Sequence, residues 1–326
     1  MKITNWSIIF ALLFISFIFI IRVKDEHVTK ANDLSLRYDT ALTAAVEDSA
    51  KMLLLNTQQE YESGYHSPKF MKVNRTEAID AFFKTLTLNF GNENESVTQG
   101  IIKGYIPLIL IVDYKGFYVY AMDEYRNAEN ELITDMKEMP FQAYSYRDEQ
   151  GNLLNFTLDD YVIAYDKSQD KWMEGFREEI AGQLNIPLLK DQVLFEDVRR
   201  STILNAIQDQ TEYYINRHNT YAKRFGITYT FTLPIISEED WENTIDDVGL
   251  ISFIQGYPLG EKYTYNNYAL GGSRLIKKAS IQTTTLNGIK YYYREDCEYS
   301  YPVEEVFTSA KDAAKKGYKP LSCFNQ

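Results

Sequence analysis

Positions 3–21 (ITNWSIIFALLFISFIFII) carry no charge and few polar groups, so the chain opens apolar and only later becomes amphipathic. At 1.5 Å per residue a helix of this length spans about 28 Å, close to the hydrocarbon thickness of a bilayer. Lys2 precedes the run, and Arg22 and Lys24 follow it. The run is longer than a signal-peptide core, and Arg22-Val23-Lys24-Asp25-Glu26 offers no small-x-small cleavage site, which favours an uncleaved anchor over a cleaved leader. Trp6, Ile8, Phe10, Leu13, Phe17 and Ile21 are the anchor residues of this reading. The expected location is the cell membrane, crossed once, with the large C-terminal part extracytoplasmic.

No Gly or Pro occurs before Gly64, so the helix is expected to continue unbroken into a stem. Leu34, Tyr38, Ala41, Ala45 and Met52 follow three-four spacing and form its packing face; Leu42, Val46, Ser49 and Leu53 widen it. Small residues on that face allow close approach of another helix or sheet. Two partners fit it: the protein's own globular part, or neighbouring subunits.

Beyond the stem, Asn74-Arg75-Thr76-Glu77 has the form of a capping box with Asn as the cap, opening a helix with Ile79, Phe82, Phe83 and Leu86. Strands are expected at Leu108–Val112 and Phe117–Met122, around the turn Asp113-Tyr114-Lys115-Gly116. A second hairpin is expected at Ala143–Tyr146 and Leu153–Phe156. The segment 171–184 reads as helical. Ile203, Ile207, Thr211, Tyr214, His218, Tyr221 and Phe225 make a long helical stripe that Gly226 ends as a C′ glycine. Ile227–Leu233 (ITYTFTL) reads as a strand stopped by Pro234, with a short helix from Ser237 and further strands near 249–254, 273–278 and 281–294. The fold class is α+β: an N-terminal transmembrane helix, a long amphipathic stem, and an antiparallel-sheet head with packed helices. The expected organisation is anchor 1–24, stem 25–64, head 65–290 and a small C-terminal module 291–326.

The formal net charge of −12 argues against nucleic acid as a partner, because phosphate neutralisation needs clustered Lys and Arg. His27, His66 and His218 are scattered and lack metal spacing. No His-Glu-x-x-His, P-loop or Gly-x-Ser-x-Gly occurs. The acidic runs at Asp159-Asp160, Glu238-Glu239-Asp240 and Asp246-Asp247 fit solvated faces and helix starts better than acid–base pairs. Gly271-Gly272-Ser273 reads as a turn or bulge. Gln255-Gly256-Tyr257-Pro258-Leu259-Gly260 is either an exposed loop that meets a partner or a rigid turn. No catalytic residue, metal ligand or cofactor is assigned, and the chain is read as non-enzymatic.

The C-terminal stretch has the best local pattern: Tyr292-Tyr293, Cys297, Phe307-Thr308-Ser309, Ala313, Gly317-Tyr318-Lys319-Pro320 and Cys323. It resembles the small module of Ada-type metal domains over about 35 residues. The histidine of that module is Tyr293 here, and the first cysteine of its terminal pair is Leu321. Two sulfurs without a nearby imidazole do not close a four-ligand zinc site. The scaffold that survives is a strand, a helix over 309–316 and a return. Cys297 and Cys323 are the chain's only cysteines; as a disulfide they would close a loop worth about 3 kcal/mol. Free buried thiols and redox or metal chemistry are the alternatives.

The apolar run 3–21 followed by Tyr38-Asp39-Thr40-Ala41-Leu42-Thr43-Ala44-Ala45-Val46 resembles pilins and pseudopilins, including TadE-like minor components of Gram-positive Tad-type pilus or secretion systems. A prepilin-peptidase site is missing, so the resemblance implies a minor or accessory component. It implies a membrane-anchored extracytoplasmic part of a cell-envelope assembly, with protein partners met through stem or head. The alternative is an extracytoplasmic ligand-binding or sensor module working with a separate membrane partner.

Overall fold

In the computed structural model, residues 3–53, 73–90, 95–260, 262–272, 281–286, 288–294, 297, 299, 301–307, 313–314 and 316–321 are described. The chain forms two compact units that divide after residue 273.

In the larger unit, α1 (Ile3–Met52) is one continuous helix about 75 Å long. It is followed by α2 (Arg75–Phe90) and α3 (Glu95–Lys103). The strands β1 (Leu108–Asp113), β2 (Gly116–Arg126), β3 (Leu132–Glu138), β4 (Gln142–Arg147), β5 (Leu153–Phe156), β6 (Tyr161–Asp166) and β7 (Lys171–Phe176) come next. Then follow α4 (Arg177–Ala181), α5 (Pro187–Lys190), α6 (Gln192–Arg224), α7 (Glu238–Thr244), β8 (Gly249–Leu259) and β9 (Tyr263–Gly272). The sheet order is β7-β6-β5-β4-β2-β1-β8-β9, with β3 also paired to β2, and its registered pairs are antiparallel. The fold is therefore α+β with a long N-terminal helix on an antiparallel sheet.

Register sorts the side chains into two layers. Ile109 lies opposite both Tyr120 and Ser252, so these residues share one face. On that face Phe83 of α2 meets Tyr120, and the Arg75 guanidinium lies 3.9 Å over the Tyr118 ring. The opposite face meets α6, where Phe195 packs edge-on to Phe156 and Arg217 pairs with Asp123. Leu110, Val119, Ile251 and Phe253 fill the space between and are buried.

The helix ends obey local chemistry. The Asn74 side chain accepts from Glu77 N, while Asn74 N donates to Leu53 O, tying the start of α2 to the end of α1. Gly226 adopts φ 77°, with Gly226 N donating to Lys223 O and Ile227 N to Ala222 O, a Schellman closure of α6.

Two expected elements differ. Residues 171–176 form β7 rather than the start of a helix, because Trp172 and Glu174 align with Tyr165 and Ile163 across β6; helix begins only at Arg177. Residues 227–236 run without regular secondary structure, outside the sheet; at Phe231 and Thr232 side chains rather than a neighbouring strand take up the backbone groups (below). The strand expected at 273–278 lies outside the described residues.

The smaller unit contains β10 (Ile281–Leu286), β11 (Ile289–Arg294), β12 (Val306–Phe307) and β13 (Lys319–Pro320), ordered β12-β10-β11-β13 with β13 parallel to β11. Ile281, Ala313 and Tyr318 form its core, with Tyr292 and Phe307 against them. Residues 281–290, expected in the head, thus belong to this unit. Of the helix expected over 309–316, Ala313 and Ala314 are described and helical.

Candidate functional site

The two ends of α1 differ sharply. Its C-terminal half is built into the protein: Ala41, Leu42, Ala45, Val46 and Ser49 are buried, and Ser49 Oγ donates to Ala78 O of α2 at 2.6 Å. Tyr38 stacks on Phe90 at 4.4 Å, and Tyr257 and Tyr265 meet it edge-on. The next residue, Asp39, accepts hydrogen bonds from Tyr265 Oη at 2.7 Å and from Asn267 Nδ2. Burial pushes the Tyr257 phenol up to about 12, so it stays neutral. This aromatic clamp fixes the helix to β8 and β9. Of the expected packing face, Ala41 and Ala45 are buried, whereas Leu34, Tyr38 and Met52 are half-buried. The small residues meet the protein's own α2 and sheet.

The N-terminal part of α1 has no such cover. Its described apolar side chains from Phe10 to Ile21 are between 39% and 67% exposed, and they lie all round the helix. Among the described residues no helix is long and apolar enough to cross a membrane. The expected single-pass location in the cell membrane, resting on Trp6, Ile8, Phe10, Leu13, Phe17 and Ile21 as an anchor, is corrected on that ground. The side chains of Trp6 and Ile8 lie outside the described residues.

Among the described histidine and carboxylate side chains, His218 and Asp113 are strongly perturbed, on opposite faces of the sheet. His218 on α6 is 2% exposed and stands edge-on to Phe231. Burial lowers it to about 4, so the ring is neutral and its Nε2–H donates to Gly104 O at 2.9 Å; Nδ1 has no partner among the described residues. Asp113, at the end of β1, is pushed up to about 6 by burial, and its carboxylate accepts from Tyr114 N at 2.7 Å. The layer of β1 separates the two, so they do not form an acid–base pair.

The acidic runs have structural partners. Asp159 accepts the hydroxyls of Tyr114 and Thr157, Asp240 accepts the phenol of Tyr268, and Asp246 pairs with Arg200. Among the described residues no three His, Cys, Asp or Glu side chains are grouped to hold a metal ion. Cys297 is buried and disulfide-bonded; Cys323 lies outside the described residues.

Sequence reasoning missed the role of residues 255 and 256. Gln255 and Gly256 sit at a bulge inside β8, not in a loop. Gln255 Nε2 donates to Thr232 O at 2.6 Å while its Oε1 accepts from Thr232 N at 3.0 Å. Asn219 does the same to Phe231, donating to its O at 2.9 Å and accepting from its N at 2.8 Å. Two side-chain amides thereby take the place of a neighbouring strand at Phe231 and Thr232. Gly256 has φ 72°, and a Cβ there would meet the Tyr229 ring at 2.4 Å, so only glycine fits.

The chain was compared with protein-family models, with curated proteins and with solved structures, and none of them matches it.

Proposed function

We propose that the chain is a non-enzymatic, pilin-like subunit of a larger protein assembly, possessing a rigid head and an apolar helical arm that packs among the arms of other subunits. The observation that carries this reading is the division of α1: one half is clamped into the head, and the other exposes Phe10, Leu13, Phe14, Phe17 and Phe19. A helix apolar on every side is normally buried, and an exposed apolar surface of this extent marks an interaction site. The arm's helix is continuous with the clamped half, so a load on the arm reaches the sheet through Tyr38 and Asp39. Asp159, Asp240, Asp246 and His218 of the head are engaged in structural hydrogen bonds or ion pairs, which supports a role in binding rather than reaction.

Chymotrypsin tests this. At high chain concentration the arm is covered and its phenylalanines resist cleavage; on dilution they are cut while the head stays intact. Equal cleavage at both concentrations overturns the reading.

A further inference from the structure

α1 and α2 cover only part of their side of the sheet. Beyond β2, the same sheet continues through β4, β5, β6 and β7, whose inner side chains, Tyr144, Leu154, Phe156 and Ala164, are buried. The outward side chains on the other face, apart from the buried Tyr161, are exposed or half-exposed. Register places Arg147, Leu153, Tyr165 and Trp172 in one row across four strands. Strands about 4.8 Å apart make that row about 14 Å long, the length of about three pyranose rings joined end to end.

Trp172 is 56% exposed and lies against Tyr165, ring centroids 4.9 Å apart. Tyr165 is held in place by its hydrogen bond to Asp170 at 2.7 Å. The exposed Trp172 ring and the half-exposed Tyr165 ring, tilted 34° to each other, present apolar faces with polar tips, the chemistry that stacks on the C–H face of a sugar. The adjoining row supplies hydrogen-bonding groups. Ser145 Oγ donates to Asn155 Oδ1 at 2.7 Å, leaving the Asn155 amide donors without a protein partner among the described residues. Glu174, two positions from Trp172 on the same face, is exposed. Arg147 and Glu174 carry opposite charges, so the face is balanced, and the net charge of −12 on the whole chain repels a polyanion.

We propose that the open face of β4–β7 binds an uncharged, extended polysaccharide of the β-1,4-linked kind, with Trp172 and Tyr165 as the stacking platform and Asn155, Glu174 and Arg147 as its hydrogen-bonding rim. This site is separate from the helical arm.

The experiment uses the full chain on insoluble cellulose and chitin, with cellohexaose and chitohexaose titrated against tryptophan fluorescence. Retention is expected on at least one polymer, with a blue shift of the emission as the matching hexasaccharide covers Trp172. Trp172→Ala, at an exposed position, keeps the wild-type melting temperature and loses about tenfold in affinity. Asn155→Ala weakens binding by a smaller factor. Passage of the wild type through both polymers without retention overturns the proposal, as does equal retention of Trp172→Ala. Concentration-dependent self-association that Trp172→Ala abolishes also overturns it and gives the face to a second copy of the chain.

Discussion

Val46 of α1 rests directly on Gly271 of β9: a Cβ built on Gly271 would lie 2.6 Å from Val46 Cγ1 and 2.9 Å from Val46 O. The helix comes this close because the sheet offers no side chain there. Ala45, Val46 and Ser49 are therefore core residues of the head, and the small-residue stem is an internal interface.

Gly271→Ala should push α1 off β9 and destabilise the chain by about 1–3 kcal/mol, the usual cost of overpacking. Chemical denaturation of the variant beside the wild type measures it. Gly272→Ala is the control, since nothing lies within 4 Å of a Cβ at that position.

The bracketing amides give a second prediction. Asn219→Leu and Gln255→Met keep the volume but remove both hydrogen bonds to Phe231 and to Thr232 respectively. Each should cost about 1–3 kcal/mol, as buried backbone groups lose their partners. Hydrogen exchange at residues 227–236 should speed up, while the paired strands β1 and β8 keep their protection.

His218 and Asp113 make opposite contributions to the pH dependence of stability. Folded His218 is lowered to about 4 from an ordinary 6.5, so between those values the unfolded chain binds more protons. Its contribution is complete above pH 6.5 and is lost as pH falls to about 4, up to about 3 kcal/mol in all. Folded Asp113 is raised to about 6 from 3.8, so it is stabilising below pH 3.8 and loses that effect as pH rises through 6. Asp113→Asn should accordingly gain about 1–2 kcal/mol at pH 7, allowing for screening at a part-exposed group, and nothing at pH 3.5. Urea unfolding at the two pH values separates them.

Local signals made much of the fold legible. Asp113-Tyr114-Lys115-Gly116 marks the β1–β2 hairpin, Asn74 caps α2 and Gly226 closes α6, each through chemistry within a few residues. What escaped depends on distant partners. Ile227–Leu233 has the β-branched alternation of a strand, but Phe231 and Thr232 within it bond to the side chains of Asn219 and Gln255. Lys171 to Phe176 mixes charge, Trp and Gly, and only its pairing with β6 makes it a strand. The outward row ending in Trp172 depends on the register of four strands and has no signature in the linear order. For α1 the periodicity of Ala41 and Ala45 announces a packed face, while the choice between sheet and neighbouring subunit rests on Gly271.

Light scattering of the full chain in aqueous buffer, over a range of concentrations, reads assembly through the arm without intermediary. The wild type should show a mass of several subunits, falling to that of a single chain in Leu13→Glu with Phe17→Glu, with the unfolding of the head unchanged. A wild type that scatters as one chain at every concentration, or a double variant that assembles as the wild type does, contradicts it.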